Sequence, residues 1–101
     1  VKGKAPTKAE KCFHDRLCAL GCIACRNDGR FNPMVSVHHI DGRTKKGAHM
    51  NVLSLCAGHH QQGTGAPGLI AVHPYKAQFE RMYGTQESLL AQSMDLLGES
   101  R

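Results

Sequence analysis

An α+β domain is predicted: a ββα hairpin unit flanked by an N-terminal helix and C-terminal helices. Three observations predict it. Two pairs of soft metal ligands, Cys22-Ile23-Ala24-Cys25 and Cys56-Ala57-Gly58-His59, are each spaced by two residues. Residues 34–40 alternate with the period of a strand, and residues 52–55 form a second short apolar run directly before the second pair. Apolar residues at helical spacing occupy the two ends of the chain.

The elements follow in order. Thr7-Lys8-Ala9-Glu10 has the pattern of a capping box, so a helix should start there, with Phe13, Leu17 and Leu20 on its buried face and Gly21 as its left-handed end. Cys22 to Cys25 should then turn, and Asn27-Asp28-Gly29 with Asn32-Pro33 should be loop. From Met34 to Ile40, Val35, Val37 and His39 share one strand face, and Met34, Ser36 and His38 share the other. Gly42 to Gly47 makes a basic turn, Val52 to Leu55 the second strand, and Ala57 to Gln62 a helix. After a glycine-rich loop, Leu69 to Val72 is expected to form one more short strand ending at His73. Pro74 suits a helix start. Tyr75, Phe79, Met82 and Tyr83 mark one amphipathic helix stopped by Gly84; Leu89, Leu90, Met94 and Leu97 mark another after the Thr85 cap. These last helices are expected to pack.

At 101 residues with no Trp, two Tyr and three Phe, the chain suits one domain whose small core needs help from something other than apolar burial. Val1 to Pro6 read as the end of a basic linker from a longer protein, and residues 7–101 as a single domain. Five cysteines are an odd number, and histidines crowd around Cys56 and the His38-His39 pair, which favours metal binding in a reducing cytoplasm over a disulfide scaffold. No apolar stretch approaches the roughly 18 residues of a membrane span, and no charged-then-apolar leader opens the chain, so a soluble, non-exported protein is expected. The net charge of +5 is uneven. Residues 1–46 carry ten Lys or Arg against four acids, whereas residues 47–101 carry three against four. The basic half points to a polyanion such as nucleic acid, with a solvated surface as the plainer explanation.

Residues i and i+3 of a helix share a face, so Cys56 and His59 can grip one ion together with Cys22 and Cys25. That completes a closed tetrahedral Cys3His set, which is a structural zinc site. The rival frame uses His60 at i+4 in place of His59. Cys12 and Cys18 fit better as small buried hydrophobes. His38, His39 and His60 form a second constellation. Neighbours on a regular strand point to opposite faces, so one of His38 and His39 can ligate while the other approaches a substrate. A metal with few protein ligands keeps positions open for a phosphate oxygen and water, and a neutral imidazole nearby can accept the proton of that water.

The run Val37-His38-His39-Ile40-Asp41-Gly42-Arg43-Thr44, together with Cys22-Ile23-Ala24-Cys25, Leu55-Cys56-Ala57-Gly58-His59-His60-Gln61 and Val72-His73-Pro74, resembles the HNH nuclease superfamily and, more narrowly, the phage recombination-enhancement (Ref) nucleases. That resemblance spans most of residues 10–84. It implies a zinc-stapled ββα-metal core and a DNA endonuclease that acts with the host RecA recombinase filament, in the cytoplasm of a bacterial host. By the same resemblance His39 is the general base, and His38 and His60 hold a catalytic Mg2+, Mn2+ or Zn2+, with His73 as a further ligand or substrate contact. Asn51 braces the loop that orients His39, and His49 is close enough to compete for either role. One ligand departs from the family pattern, in that His59 stands where a cysteine is usual. Arg43, Lys45 and Lys46 are placed to hold DNA phosphates. A non-catalytic, zinc-finger-like DNA-binding module is the main alternative, and a protein-interaction domain the third. His14 is expected at the surface.

Overall fold

The computed structural model describes residues 5–42, 47–61 and 70–98. Helix α1 (Lys8–Ala19) begins as its sequence dictates: Glu10 N donates to Thr7 Oγ1 at 3.2 Å, and Thr7 N donates to the Glu10 carboxylate at 2.7 Å. Two of the amide groups left free at a helix start are thereby satisfied. Phe13 and Leu17 are its buried residues. The helix ends before Gly21, whose φ of 78° lies in the left-handed region. A Cβ at Gly21 would stand 2.8 Å from the carbonyl oxygen of Asn32, and that carbonyl accepts from Cys22 N at 2.9 Å. Glycine therefore lets the chain after the metal-ligand turn close over the helix end.

Cys22 to Cys25 are not the simple turn expected. They open a short helix, α2 (Ile23–Asn27), in which Cys22 is the N-cap and its sulfur accepts from Cys25 N at 3.4 Å. The cap that favours a metal-binding turn also favours helix, so the two readings share their first residues.

Strands β1 (Val35–His39) and β2 (Val52–Cys56) pair antiparallel, with Val35 opposite Cys56 and His39 opposite Val52. Every residue of β2 is buried. It packs against α1, α2 and α5 (Gln86–Leu97). That explains why its sequence runs apolar without alternation. Strand β1 has one fully buried position, His38. Residues 40–51 join the strands through a short 3-10 turn at Ala48–Met50, and Ile40 N donates to Asn51 O at 2.9 Å to close the hairpin.

A single helical turn, α3 (Ala57–His60), follows β2 directly. The strand expected at Leu69 to Val72 is not formed by its described residues. Ile70, Ala71 and Val72 are buried, but Val72 N donates to His59 O at 2.8 Å and His73 N to His60 O at 3.0 Å. The partners of this segment are the carbonyls that a helix C-terminus leaves unsatisfied, not a neighbouring strand. Helix α4 (Lys76–Tyr83) starts two residues after Pro74, and α5 is capped by Thr85, whose hydroxyl accepts from Ser88 N at 3.1 Å.

The core joins Leu17, Ile23, Leu53, Leu55, Phe79 and Leu90 to Cys22, Cys25 and Cys56 in one cluster. Leu53, Leu55 and Phe79 are each 0% exposed, and such a side chain contributes about 1.5–3 kcal/mol on burial. The cysteine sulfurs are thus part of the core. Cys18 is half-buried, whereas Cys12 is exposed and does not fit the buried-hydrophobe reading. Among the described residues no helix is long and apolar enough to cross a membrane. The basic residues Arg43, Lys45 and Lys46 lie outside the described residues.

Candidate metal centres

Three groups of ligand-bearing side chains converge on the hairpin: Cys22, Cys25, Cys56 and His59; His38, His60 and His73; and His14, His39 and His49. Within each group the ligand atoms lie within 4.8 Å of one another. The first holds the four residues singled out by spacing, and the second holds the three that the family resemblance implies as ligands. The third contains His14, expected at the surface but half-buried against the hairpin, and His49.

In the first group, His59 Nδ1 stands 3.4 Å from the sulfurs of Cys22 and Cys25 and 3.2 Å from that of Cys56. The Cys25 and Cys56 sulfurs are 3.7 Å apart. Ordinary zinc bond lengths in a tetrahedron place sulfurs about 3.8 Å apart and sulfur and nitrogen about 3.6 Å apart. The four ligands are buried and already stand near those separations, so they could hold a metal such as zinc without rearrangement. Burial pushes the Cys22 thiol up to about 12 and raises that of Cys25, with neighbouring thiols adding to both. A cation entering this site therefore displaces protons.

Behind His59 stands a relay absent from the sequence reading. His59 Nε2 lies 3.0 Å from the Tyr83 hydroxyl, which donates to the Asp28 carboxylate at 2.7 Å. The carboxylate can only accept, so Tyr83 accepts from His59 Nε2–H, and the lone pair is left on Nδ1 facing the sulfurs. Burial raises the Tyr83 hydroxyl and lowers His59, which keeps both neutral. Tyr83, expected only to pack, fixes a ligand's tautomer. Arg30 pairs with Asp28 at 3.5 Å.

The second group lies elsewhere because adjacent helical residues diverge. His60 turns away from His59 and meets β1, its Nδ1 3.3 Å from Ser36 Oγ. The frame pairing Cys56 with His60 is not the one adopted. His38, His60 and His73 run from buried through half-buried to exposed, and their ring centroids are 5.0, 5.1 and 5.8 Å apart. Such a site is open on the His73 side. His38 Nε2 is 2.6 Å from Gln86 Oε1, and Gln86 Nε2 donates to the Glu80 carboxylate at 3.4 Å. The amide oxygen must accept from His38 Nε2–H, leaving Nδ1 as the ligand atom. Burial pushes His38 down to about 4, and burial also lowers His60. Both imidazoles are therefore neutral, as metal ligands must be. Gln86 had a signal in the sequence: it precedes Leu89, Leu90 and Ser93 on one buried stripe of α5, where a polar side chain requires a partner.

His39 leaves β1 on the face opposite His38. Its Nε2 is 3.0 Å from His49 Nδ1, and His14 Nε2 donates to His49 O at 2.7 Å. Asn51 contributes its carbonyl to the Ile40 amide, next to His39.

A family model described as "Recombination enhancement, RecA-dependent nuclease" matches residues 6–98. The chain belongs to that family. As a member of the RecA-dependent nuclease family it is an enzyme that acts on nucleic acid, and all three ligand groups lie inside the matched region. The buried Cys3His cluster is closed and offers no position to a substrate.

Proposed function

We propose that the chain is an HNH-type DNA endonuclease that hydrolyses phosphodiester bonds with one divalent metal. The observation that carries this reading is the open cluster of His38, His60 and His73 beside a hairpin strand that ends at His39. Three imidazole donors suit zinc and its transition-metal neighbours better than Mg2+ or Mn2+, whose preferred donors are oxygens. His38, His60 and His73 would hold such an ion, which when bound would supply Lewis-acid polarisation of a phosphate oxygen. Zinc at Cys22, Cys25, Cys56 and His59 is structural in this reading.

His39 accepts the proton of the attacking water while the new P–O bond forms and the bond to the leaving sugar oxygen breaks. His49 orients it, since the two rings share one proton across 3.0 Å. Asn51 braces the chain beside it through the Ile40 amide. Arg43, Lys45 and Lys46 contact phosphates flanking the cut. In line with the family name, cleavage takes place with a RecA-type recombinase filament, in the cytoplasm of a bacterium hosting the phage.

The buried Cys3His cluster and the positive charge of residues 1–46 also fit a zinc-finger-like module that binds DNA without cutting it. That reading leaves His38, His60 and His73 without a task. The test is cleavage of circular DNA with and without a RecA filament and ATP. Wild type should cut, and His39→Ala should not, while keeping the Cys3His zinc, the metal at His38, His60 and His73, and its DNA affinity. His38→Ala and His60→Ala should lose the histidine-site metal as well. Wild-type cleavage by His39→Ala would refute the assignment of the base.

A further inference from the structure

The nitrogen that His39 points into the protein is not left to solvent. It faces His49 Nδ1, and the His14 ring closes the group, its centroid 6.0 Å from that of His39 and 6.1 Å from that of His49. The His39 and His49 centroids are 5.0 Å apart. Three imidazoles around one tetrahedral zinc place their centroids about 5 Å apart and their bonded nitrogens about 3.3 Å apart; His39 and His49 already stand at that spacing, and His14 would close by about 1 Å to complete the set. Those residues come from α1, the end of β1 and the turn before β2, three separate elements that meet at this point.

Several features favour a cation there. His14 Nε2–H is committed to the carbonyl of His49, so the neutral ring carries its lone pair on Nδ1, the tautomer control usual for ligating histidines. Glu10 lies one turn before His14 on the same face of α1, close enough for its charge to act on both His14 and His49. His14 and His39 are half-buried, so an ion can enter, while His49 is only 7% exposed. The donors are all imidazole, which selects zinc-class ions over Mg2+.

We propose that His14, His39 and His49 form a third metal site that takes a zinc-class divalent cation, and that filling it withdraws His39 from proton transfer and silences the nuclease. The metal-binding half stands on geometry alone; the silencing half rests on His39 being the base. An ion held at His39 Nε2 leaves the neutral ring's one proton on Nδ1, so neither nitrogen can accept a proton from water. The site lies on the opposite face of β1 from His38, so it fills independently of the His38, His60 and His73 cluster.

The test is equilibrium dialysis of the chain against buffered free Zn2+, with bound metal counted by mass spectrometry. Wild type should bind three equivalents at saturation, one per cluster. His14→Ala should lose one, and so should His14→Gln, which keeps an N–H for the His49 carbonyl but offers no imidazole. His60→Ala should lose a different one, so that the His14→Gln, His60→Ala double variant retains only the Cys3His equivalent. A third equivalent that survives both His14 changes, or that wild type never binds, overturns the site. If His60→Ala alone fails to lose an equivalent, it is the open active-site cluster that falls. In Mn2+-supported cleavage with the RecA filament, added zinc should inhibit wild type, and the midpoint should rise at least tenfold in His14→Gln, relative to that variant's own uninhibited rate. Loss of the third equivalent with an unmoved midpoint overturns the silencing half.

Discussion

Tyr83→Phe removes a single oxygen, and the structure says what that oxygen does. It accepts from His59 Nε2–H at 3.0 Å and donates to Asp28 at 2.7 Å. Without it, His59 has the Asp28 oxygen at 3.7 Å as its nearest remaining partner, too far for a good hydrogen bond. The ring loses the contact that keeps Nδ1 unprotonated and aimed at the three sulfurs. Loss of such a partner behind a metal ligand typically costs about 10–100-fold in metal affinity, or about 1.4–2.8 kcal/mol. At a fixed free zinc concentration above both dissociation constants, the same amount is lost from folding stability. For a domain of this size that lowers Tm by roughly 5–20 °C. Zinc affinity should be read by competition with a chelator, and Tm in buffered zinc, with Asp28→Asn as a companion that keeps the hydroxyl but weakens its acceptor. Tyr83→Phe protein with wild-type zinc affinity and wild-type Tm would refute the relay, and with it the assignment of His59 as the fourth ligand.

Gln86→Leu should strand His38 Nε2–H in the interior, lower metal affinity at the histidine site by about 10–100-fold and leave the Cys3His metal in place; metal counts during a chelator titration check it, and equal loss from both sites counts against separate centres. The Glu10 carboxylate is held below its ordinary value, first by the Thr7 amide, so it contributes stability above that value and loses it as pH falls through the folded one. Carbon NMR titration should place the Glu10 midpoint below 4.5, and Thr7→Ala or Thr7→Pro should move it upward. Lys45→Ala with Lys46→Ala should weaken DNA binding and flatten its salt dependence by about one unit per lost phosphate contact; filter binding at several salt concentrations decides it, and an unchanged slope moves the DNA surface away from that loop.

What could be read from the chain, and what could not, divides by the distance over which each residue finds its partners. Cys22 with Cys25, and Cys56 with His59, stand three residues apart, so spacing singled them out as candidate ligand pairs and left His60 as the rival to His59. The alternation of a strand was enough to send His38 and His39 to opposite faces. The destination of each face was not local information. His39 meets His14 only because α1 lies against the hairpin, bringing together residues 25 positions apart in the chain. Gln86 meets His38 from 48 residues away and Tyr83 meets Asp28 from 55. The segment before His73 shows the same limit in the backbone. Its apolar run correctly foretold burial, but strand pairing needs a neighbouring strand, and the groups within reach are the free carbonyls of α3.

This division bears on mechanism. The candidate ligands came from short-range spacing in the Cys3His group and from the family resemblance for His38, His60 and His73. The groups that set their tautomers, Tyr83 for His59 and Gln86 for His38, come from α4 and α5, helices that the sequence marks only as packing. The C-terminal helices therefore do two tasks at once: they cover β2 with Leu89 and Leu90, and from the same stretch they present the oxygen atoms that orient His59 and His38, the candidate ligands. A truncation that removed α5 would uncover the apolar face of the hairpin and also release His38 from its partner. Its effect on cleavage could not be assigned to packing or to ligand geometry alone, whereas Gln86→Leu, which keeps the apolar cover and removes the side-chain amide, separates the two.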